Sequence, residues 1–469
     1  MIRRSIVILF IVSILCPTAF SDDPEIFTLQ RSLEYALQHS KAMKAAEEKV
    51  KSAEAKLAEA RANLLPKVSA NASYLYNGKL PKVTLEIPTP TLPTGKISTP
   101  NPAPPYDQSG VPGMGADMGG STFGLGSQEM TFTMGAKKNF QAGATLQQML
   151  FAGGTIYNSI RQARLSLEAA RMEREATRQK LIYDVKEAFY GVLLAERFLD
   201  VSRKALKQTE EHYKMAERLV KAGTATRYDL LRAKVQLANI KSRLIKAQNA
   251  LRLAKERFKM TIGFEGPEDI EVKGEFQTPE LKLNLNELID RAIERRPDLR
   301  SMRLQVEAME RLVSIAKGSF LPTVSLIGNY GYSDNEKQEG QTTWSVMVRA
   351  DLPIFTGFSR VARVKEAKST VNQMRLGMQQ LEDGIRLEVK AAYLSLMEAK
   401  SLLEAQKETV RQAKEGLRMA NLQYKNGLIT SVQLTDAELA LMQAELSYYQ
   451  ALHDYALATA KIKKAIGEE

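Results

Sequence analysis

Residues 65–69, Leu-Pro-Lys-Val-Ser, occur a second time as residues 321–325, Leu-Pro-Thr-Val-Ser, at a distance of 321 − 65 = 256 positions. After an interruption the repetition resumes at Phe151, which corresponds to Phe355, so the distance is now 355 − 151 = 204 positions. The difference, 256 − 204 = 52 residues, is the size of an insertion in the first copy. A duplicated chain usually consists of two copies of one supersecondary module, so we predict two structurally similar repeats.

Each predicted repeat, residues 22–264 and residues 265–469, contains two segments in which apolar and polar residues alternate. Such alternation, over about ten residues with aromatic residues near the ends, is typical of transmembrane β-strands. A soluble antiparallel sheet with one hydrated face would give the same pattern. The four predicted strands lie at about 66–77, 131–150, 322–333 and 342–354, and Lys138 breaks the apolar set of the second one.

A long helical hairpin follows the strands in each repeat, over residues 154–262 and 358–466, and neither stretch contains proline. Apolar residues spaced alternately four and three apart predict a coiled-coil seam in the first helix of each hairpin. The seam residues are Leu181, Val185, Ala188, Val192, Ala195 and Leu199, and in the second copy Ile385, Val389, Ala392, Leu396, Ala399 and Leu403. Shorter helical stretches, 28–64 and 284–319, precede the strand pairs.

The insertion in the first copy occupies residues 79–130 and contains nine prolines and eight glycines. Such a composition disfavours a packed core, so we predict a mobile loop between the first two strands. The matching connection in the second copy, about 334–342, is short and polar.

The N-terminal residues 1–21 have the features of a cleaved secretory signal. An arginine pair precedes an apolar run that ends at Cys16, and small residues precede the expected cleavage after Ser21. Cys16 is the only cysteine, so we expect no disulfide in the mature chain. A lipoprotein acceptor is the alternative role for Cys16, but Leu15 stands where that role requires a small residue.

No apolar run after residue 21 is long enough for a membrane helix, so membrane contact would have to use β-strands or a peripheral surface. The formal charge of +12 falls to 64 − 54 = +10 without the two arginines of the signal. A basic chain can bind nucleic acid, but the secretion signal argues against that partner. Solvated basic helix faces explain the charge instead.

The sequence offers no convergent polar residues for catalysis, so we expect neither enzymatic activity nor a cofactor. His39, His212 and His453 are widely separated, and none has a second ligand at metal-binding spacing. We therefore predict that the histidines lie on helix surfaces and that the chain has no metal site.

The order helix, strand, strand and hairpin, repeated twice after a signal peptide, resembles the TolC-like outer-membrane efflux protein family over essentially the whole mature chain. The most specific stretch is residues 424–437, Tyr-Lys-Asn-Gly-Leu-Ile-Thr-Ser-Val-Gln-Leu-Thr-Asp-Ala, which residues 221–233 echo. The resemblance implies a mostly α fold with a small membrane β-barrel. In a homotrimer this would be a 12-stranded β-barrel continuous with a periplasmic α-helical coiled-coil barrel. Independently, four membrane strands cannot close a barrel, and open sheet edges are not tolerated in lipid, so chains must pool strands.

The resemblance also implies a passive exit duct in the cell outer membrane, with a periplasmic helical tunnel, for a tripartite efflux or type I secretion system. Its implied partners are membrane lipid, a periplasmic adaptor (membrane fusion) protein and an inner-membrane pump of the resistance-nodulation-division or ATP-binding cassette type. Drugs, metals and secreted proteins are all compatible substrates. A secreted coiled-coil scaffold or adhesin without a channel is the alternative.

In this family the periplasmic end is closed by polar contacts between inward-bent helices and by a ring of acidic side chains. The resemblance places Asp436 at the constriction, and Asp229 with its partner Tyr424 in the closing network. Gln433 stands where a second ring acid can occur, and Ile429 where an arginine tether can occur. We therefore expect weaker cation binding and fewer closing ion pairs. The helix dipole alone would also favour Asp229 and Asp436 in first turns.

The hairpin tips are the surface that the family presents to an adaptor. The resemblance assigns Gly223, Thr226, Gly427 and Thr430 to these tips. The same residues also suit the turn itself, because glycine favours the left-handed residue after a helix and threonine caps the next helix. The two roles are compatible.

Overall fold

The computed structural model describes residues 25–90, 125–266, 269–279 and 284–468. The predicted signal peptide with Cys16, and residues 91–124 of the predicted insertion, lie outside these ranges. The described residues form two compact units. The helical unit consists of the described residues within Met1–Ala62, Gly153–Leu321 and Pro353–Glu469. The β unit consists of the described residues within Asn63–Ala152 and Pro322–Leu352. Each unit therefore combines segments from both predicted repeats, whose boundaries stay a prediction.

The described residues contain eight helices and eight strands. In chain order the elements are β1 (Glu25–Phe27), α1 (Leu29–His39), α2 (Lys41–Ala62), β2 (Lys67–Tyr76), β3 (Lys82–Pro90), β4 (Leu125–Thr133), β5 (Lys138–Ala152), α3 (Thr155–Lys221), α4 (Arg227–Ile262), β6 (Ile270–Val272), α5 (Leu285–Arg295), α6 (Pro297–Gly318), β7 (Thr323–Asn335), β8 (Gln338–Asp351), α7 (Ser359–Lys425) and α8 (Ser431–Ala465). Across these ranges no helix has both the length and the apolar character needed to cross a membrane.

The two predicted hairpins are confirmed. Helices α3 and α7 have 67 residues each and return through α4 and α8. At 1.5 Å per residue, each long helix extends for about 100 Å. The predicted seam is also confirmed, because all its residues are buried except Leu403, which is half-buried against the core of the second hairpin.

Two hydrophobic cores hold the hairpins to the shorter elements of the helical unit. In the first core, Phe189 of α3 and Phe258 of α4 pack around Phe27 of β1, and the rings of Phe27 and Phe258 meet edge to face at 5.9 Å. In the second core, Leu396 of α7 packs with Leu299 of α6. Strand β1 pairs in parallel with β6. Neither strand was predicted, because three residues are too few for an alternating pattern to show.

The β unit contains an antiparallel sheet with strand order β2-β5-β7-β8, so β2 and β8 form its edges. Strands β2, β7 and β8 confirm the predictions at 66–77, 322–333 and 342–354, although β8 begins at Gln338 and ends at Asp351. The connection between β7 and β8 is therefore shorter than the predicted 334–342. Neither edge strand has a further strand partner among the described residues. The backbone groups along both edges are therefore open to pairing with another strand.

The predicted strand 131–150 is wrong in its first part. Strand β4 ends at Thr133 and β5 begins only at Lys138. Between them Gly135 has a φ of 87°, a left-handed conformation that a regular strand does not contain. The lysine that interrupts the apolar alternation therefore marks the start of a new strand.

The predicted loop over 79–130 is also wrong at both of its ends. Strands β3 and β4 pair in antiparallel register from Lys82, opposite Thr133, to the last pair at Pro90. Val83 lies opposite Phe132, and such apolar cross-strand pairs stabilise a ribbon. Both strands of this ribbon are edges, where proline is tolerated. The high proline content therefore did not exclude strands.

The main sheet has one apolar face and one polar face, which confirms the predicted alternation. On the apolar face Tyr330 lies opposite Trp344, and Tyr74 lies opposite Phe140. These side chains are exposed in the single chain, Trp344 to 76%. On the polar face the hydroxyl of Thr145 donates a hydrogen bond of 3.1 Å to the side-chain oxygen of a β7 asparagine.

Candidate functional site

Both hairpins turn at a glycine in the left-handed conformation, as the sequence predicts. Gly223 has a φ of 75° and Gly427 a φ of 71°. In the first tip the amide of Thr224 donates to the carbonyl of Leu219, and the amide of Gly223 donates to that of Val220. These two bonds form a Schellman motif, which satisfies the last carbonyls of the helix. The second tip repeats the same bonds one copy later.

The returning helices begin with capping boxes at the two predicted threonines. The hydroxyl of Thr226 accepts from the amide of Asp229, whose carboxylate accepts from the amide of Thr226 at 3.1 Å. Thr430 forms the same reciprocal pair with Gln433, whose Oε1 accepts from the Thr430 amide at 2.9 Å. Each box satisfies two backbone donors that a helix start would otherwise leave unpaired. The structure thus gives Gln433 a capping contact, and its predicted place in a ring stays a prediction.

Asp229 also connects the two hairpins. The hydroxyl of Ser431, the first residue of α8, donates to Asp229 Oδ1 at 3.2 Å. The pKa of Asp229 is lowered first by the hydrogen bonds from Thr226, and further by the bond from Ser431 and the positive charge of Arg232. The carboxylate is therefore ionised at neutral pH and holds α4 and α8 together at the tips. Ser431 could not be identified from the sequence, because its partner lies 202 residues away.

Tyr424 lies near this contact but does not bond to it. Its ring packs in a small apolar cluster with Leu417 and Leu434, and no hydrogen bond joins its phenol to Asp229 in the described part of the chain. Burial, followed by the negative charges of Asp229 and Glu438, raises the pKa of Tyr424. The phenol is therefore protonated at neutral pH and remains a hydrogen-bond donor. The carboxylate of Asp229 thus reaches Tyr424 through its charge. Their shared role in a closing network stays a prediction.

His212 corrects the prediction that the histidines lie on helix surfaces. Its side chain is only 3% exposed, and its ring meets that of Tyr424 edge to face at 5.5 Å. His212 lies on the buried face of α3, since Thr209 and Ala216, three residues before and four after it, are also buried. The four-three spacing continued beyond Leu199 reaches Thr209 and then Tyr213, so it does not predict the burial of His212. His39 is exposed and His453 is half-buried beside Asp454.

Asp436 stands apart from this cluster in the single chain. Its side chain is exposed, and no hydrogen bond or ion pair joins it to another residue in the ranges that the structure describes. Within the same ranges, no three His, Asp or Glu side chains are grouped as a metal site requires. The tips therefore offer hydrogen bonds, charge and shape, which suit a contact surface or a gate.

Comparison with known proteins places this chain among channel proteins. The family model described as outer membrane efflux protein matches residues 116–263 and 288–468. The chain is 22% identical over 329 residues to the outer membrane efflux protein BepC of Brucella suis biovar 1, covering 69% of this chain and 71% of BepC. It is 25% identical over 332 residues to the alkaline protease secretion protein AprF of Pseudomonas aeruginosa, covering 68% of each.

A solved structure shares the fold. The outer membrane channel CmeC of Campylobacter jejuni superimposes with a TM-score of 0.73 at 17% identity, over 94% of this chain and 85% of CmeC. The mostly helical architecture, with two long hairpins and a small sheet, is therefore that of a known class of channel.

Proposed function

Since this chain belongs to the outer membrane efflux protein family, we propose that it forms the outer-membrane exit duct of a tripartite efflux or type I secretion system. The protein belongs to the outer membrane, and its family consists of channel proteins rather than enzymes. The finer proposal concerns the assembly and the partners of this chain. The observation that supports an assembly of several copies is the open four-stranded sheet.

The sheet presents an exposed apolar face and two unpaired edges. An apolar face of this size in water would promote aggregation, whereas in a bilayer it contacts lipid. Edges are not tolerated in lipid, so β2 and β8 must pair with strands of other copies. Three copies supply 12 strands, an even number suited to an up-and-down barrel with a polar lumen. We therefore propose a homotrimer.

Exposed apolar residues on the long helices support the same assembly. On α7, Leu387 and Leu394 lie seven residues apart on one helix face and are 68% and 57% exposed. On α4, Leu253 and Met260 are likewise seven residues apart and are 72% and 77% exposed. Seven-residue spacing is the spacing of a coiled-coil contact, so these stripes would pack against helices of neighbouring copies. The resulting helical tube would cross the periplasm.

The hairpin tips would then serve as gate and docking surface. Gly223, Thr226, Gly427 and Thr430 would contact a periplasmic adaptor, which links the duct to an inner-membrane pump of the resistance-nodulation-division or ATP-binding cassette type. Contact would shift the second hairpin and open the tube, a two-state change biased by binding. Asp436, exposed in one chain, would meet its two copies at the constriction. Efflux and secretion are both represented among the relatives, by BepC and AprF.

Four measurements test this proposal. We expect it in the outer-membrane fraction, migrating as a heat-modifiable species in detergent gels, with the mass of a trimer in native mass spectrometry. Reconstituted in planar bilayers, it should conduct ions. A monomer that is soluble without detergent and does not conduct would contradict the proposal and favour a secreted scaffold.

A further inference from the structure

A buried pair of ionisable side chains joins the two hairpins above the tips. His212 belongs to α3 of the first hairpin and Glu438 to α8 of the second. Their side chains are 3% and 11% exposed, and His212 Nδ1 lies 3.7 Å from Glu438 Oε2. This distance is too long for a hydrogen bond and short enough for an ion pair.

One buried atom of each side chain lacks a hydrogen-bond partner within the part of the chain that the structure describes. His212 Nε2 and Glu438 Oε2 are buried, and neither has a hydrogen-bond partner among the described residues. A buried polar atom without a partner destabilises the arrangement that buries it. Besides these two atoms, Arg311 Nε and Thr459 Oγ1 are the buried side-chain atoms without a partner among the described residues. Two such groups side by side at a boundary between hairpins call for a functional explanation.

The neighbouring elements contribute few charged groups to this site. Helix α7 contributes the neutral phenol of Tyr424, whose ring contacts His212. Asp229 of α4 and Glu438 of α8 are the negative charges that reach that phenol. On α3 itself, the residues one turn away from His212 include Thr209 and Ala216, which carry no charge. Arg232 of α4 adds a positive charge beside Asp229. The group that faces His212 at ion-pair distance is the carboxylate of Glu438.

Protonation would change this pair from two mismatched groups into an attractive contact. A neutral imidazole beside a carboxylate gains little, whereas an imidazolium carries a positive charge and a proton on both ring nitrogens. Its Nδ1 proton would point at Glu438 across the boundary between the hairpins. Because the two residues belong to different hairpins, the attraction would oppose separation of the hairpins.

We propose that His212 and Glu438 form a proton-binding site that latches the two hairpins together when the pH falls. This inference rests on the proposed channel function, since the latch would lower the probability that the duct opens. Imidazole is the side chain whose charge changes in the mildly acidic range, so pH is the variable that tests the latch.

Single-channel recording in planar bilayers tests the latch. We expect a several-fold lower open probability at about pH 5.5 than at about pH 8 for the wild type, because protonation of histidine falls in this interval. His212→Gln and Glu438→Gln, each close to the native shape, should both remove most of this pH dependence. His453→Gln is the matched control, because His453 pairs with its neighbour Asp454 within α8 and should keep the wild-type response.

A second measurement does not depend on conduction. Spin labels at Lys214→Cys of α3 and Lys425→Cys of α7, both exposed positions, report the distance between the hairpins. The distance should lengthen from about pH 5.5 to about pH 8 in the wild type and stay constant in His212→Gln. A pH response that survives in both Gln variants, or one of opposite sign, would overturn the latch. A protein that fails to conduct but shows the expected distances would contradict the channel and leave the latch standing.

Discussion

The hydroxyl of Ser431 donates a hydrogen bond of 3.2 Å to Asp229 Oδ1, so the first turn of α8 is joined to the first turn of α4. Asp229 also closes the capping box of α4 with Thr226. One carboxylate therefore stabilises a helix start and a contact between hairpins. Any gate that moves the second hairpin away from the first has to break this bond.

Removing the bond should open the duct more often. We expect Ser431→Ala to raise the open probability in planar bilayers, because a hydrogen bond of this kind contributes about 1 kcal/mol, or about a fivefold change in an equilibrium. Asp229→Ala combined with Tyr424→Phe should have a larger effect, since it also removes the carboxylate and the phenol.

Thr430→Ala separates gating from helix capping. It removes the capping box of α8, at a cost of about 1 kcal/mol in helix stability, but leaves the bond between Ser431 and Asp229 in place. Its open probability should stay near the wild-type value. If Thr430→Ala opens the channel as much as Ser431→Ala does, loss of the cap and not of the hairpin contact controls the gate.

The two faces of β8 offer a test of membrane insertion. Val346 lies on the apolar face and Ser345 on the polar face, and both are exposed in the single chain. An arginine on the lipid face of a barrel costs about 2–4 kcal/mol near the bilayer centre, but one facing the lumen costs far less. We expect Val346→Arg to reduce the amount of heat-modifiable protein in the outer membrane and Ser345→Arg to change conductance instead. Equal assembly of both variants would argue against lipid on the apolar face.

The periodic parts of this fold could be predicted from sequence because they depend on residues close together in the chain. The seam from Leu181 to Leu199 is buried as its spacing predicts, and the capping threonines lie where the turn chemistry requires them. The pairing of β3 with β4 could not be predicted, because prolines that disfavour an interior strand are tolerated in a two-stranded ribbon.

Part of the candidate site could be predicted because its residues lie close together in the chain. Asp229, Gly223 and Thr226 belong to one local motif, whereas the bond from Ser431 depends on how two hairpins pack. The burial of His212 was missed because the buried face of α3 shifts by one position between Ser202 and Ala205, and the regular spacing leads to Tyr213 instead. Contacts between segments 200 residues apart leave no local pattern in a single sequence.

Equivalent glycines in the two repeats have the same backbone but different surroundings. Gly153 and Gly357 have φ values of 58° and 60°. A Cβ at Gly153 would overlap the carbonyl oxygen of Gly318 and lie 2.9 Å from Leu321 Cβ, whereas at Gly357 it would meet no atom within 4 Å. The duplication thus supplies a matched pair of positions.

Alanine at these two positions should separate backbone strain from steric overlap. Gly357→Ala should cost only the left-handed backbone penalty, about 1–2 kcal/mol. Gly153→Ala should cost more, because a backbone carbonyl cannot move aside as a flexible side chain can. The yield of assembled protein and the midpoint of thermal unfolding measure the difference. Equal losses would show that the backbone at Gly318 moves to make room for the Cβ at position 153.

Arg296, at the junction of α5 and α6, is 12% exposed and binds two carboxylates, Asp298 at 2.7 Å and Glu388 of α7 at 2.5 Å. Arg296→Ala would leave both acids unpaired, so we expect a loss of about 2 kcal/mol in the free energy of unfolding of the helical unit. This loss is smaller than for a fully buried ion pair, because both acids are partly exposed. Arg295→Ala is the matched control. Arg295 is 53% exposed and pairs only with Glu468 among the described residues, so its loss should cost less than about 1 kcal/mol.

The pH dependence distinguishes the lost ion pair from lost packing. Burial alone would raise the pKa of Asp298, but the hydrogen bonds and charge of Arg296 outweigh it and hold that pKa below the ordinary value. A group with a lowered pKa in the folded state stabilises it above about pH 3.9, and this contribution disappears as the pH falls toward the lowered pKa. The gap in unfolding midpoint between wild type and Arg296→Ala should therefore be full at neutral pH and shrink below about pH 4. If the difference in unfolding midpoint stays constant down to acid pH, the lost stability comes from packing of the arginine stem and not from its charge.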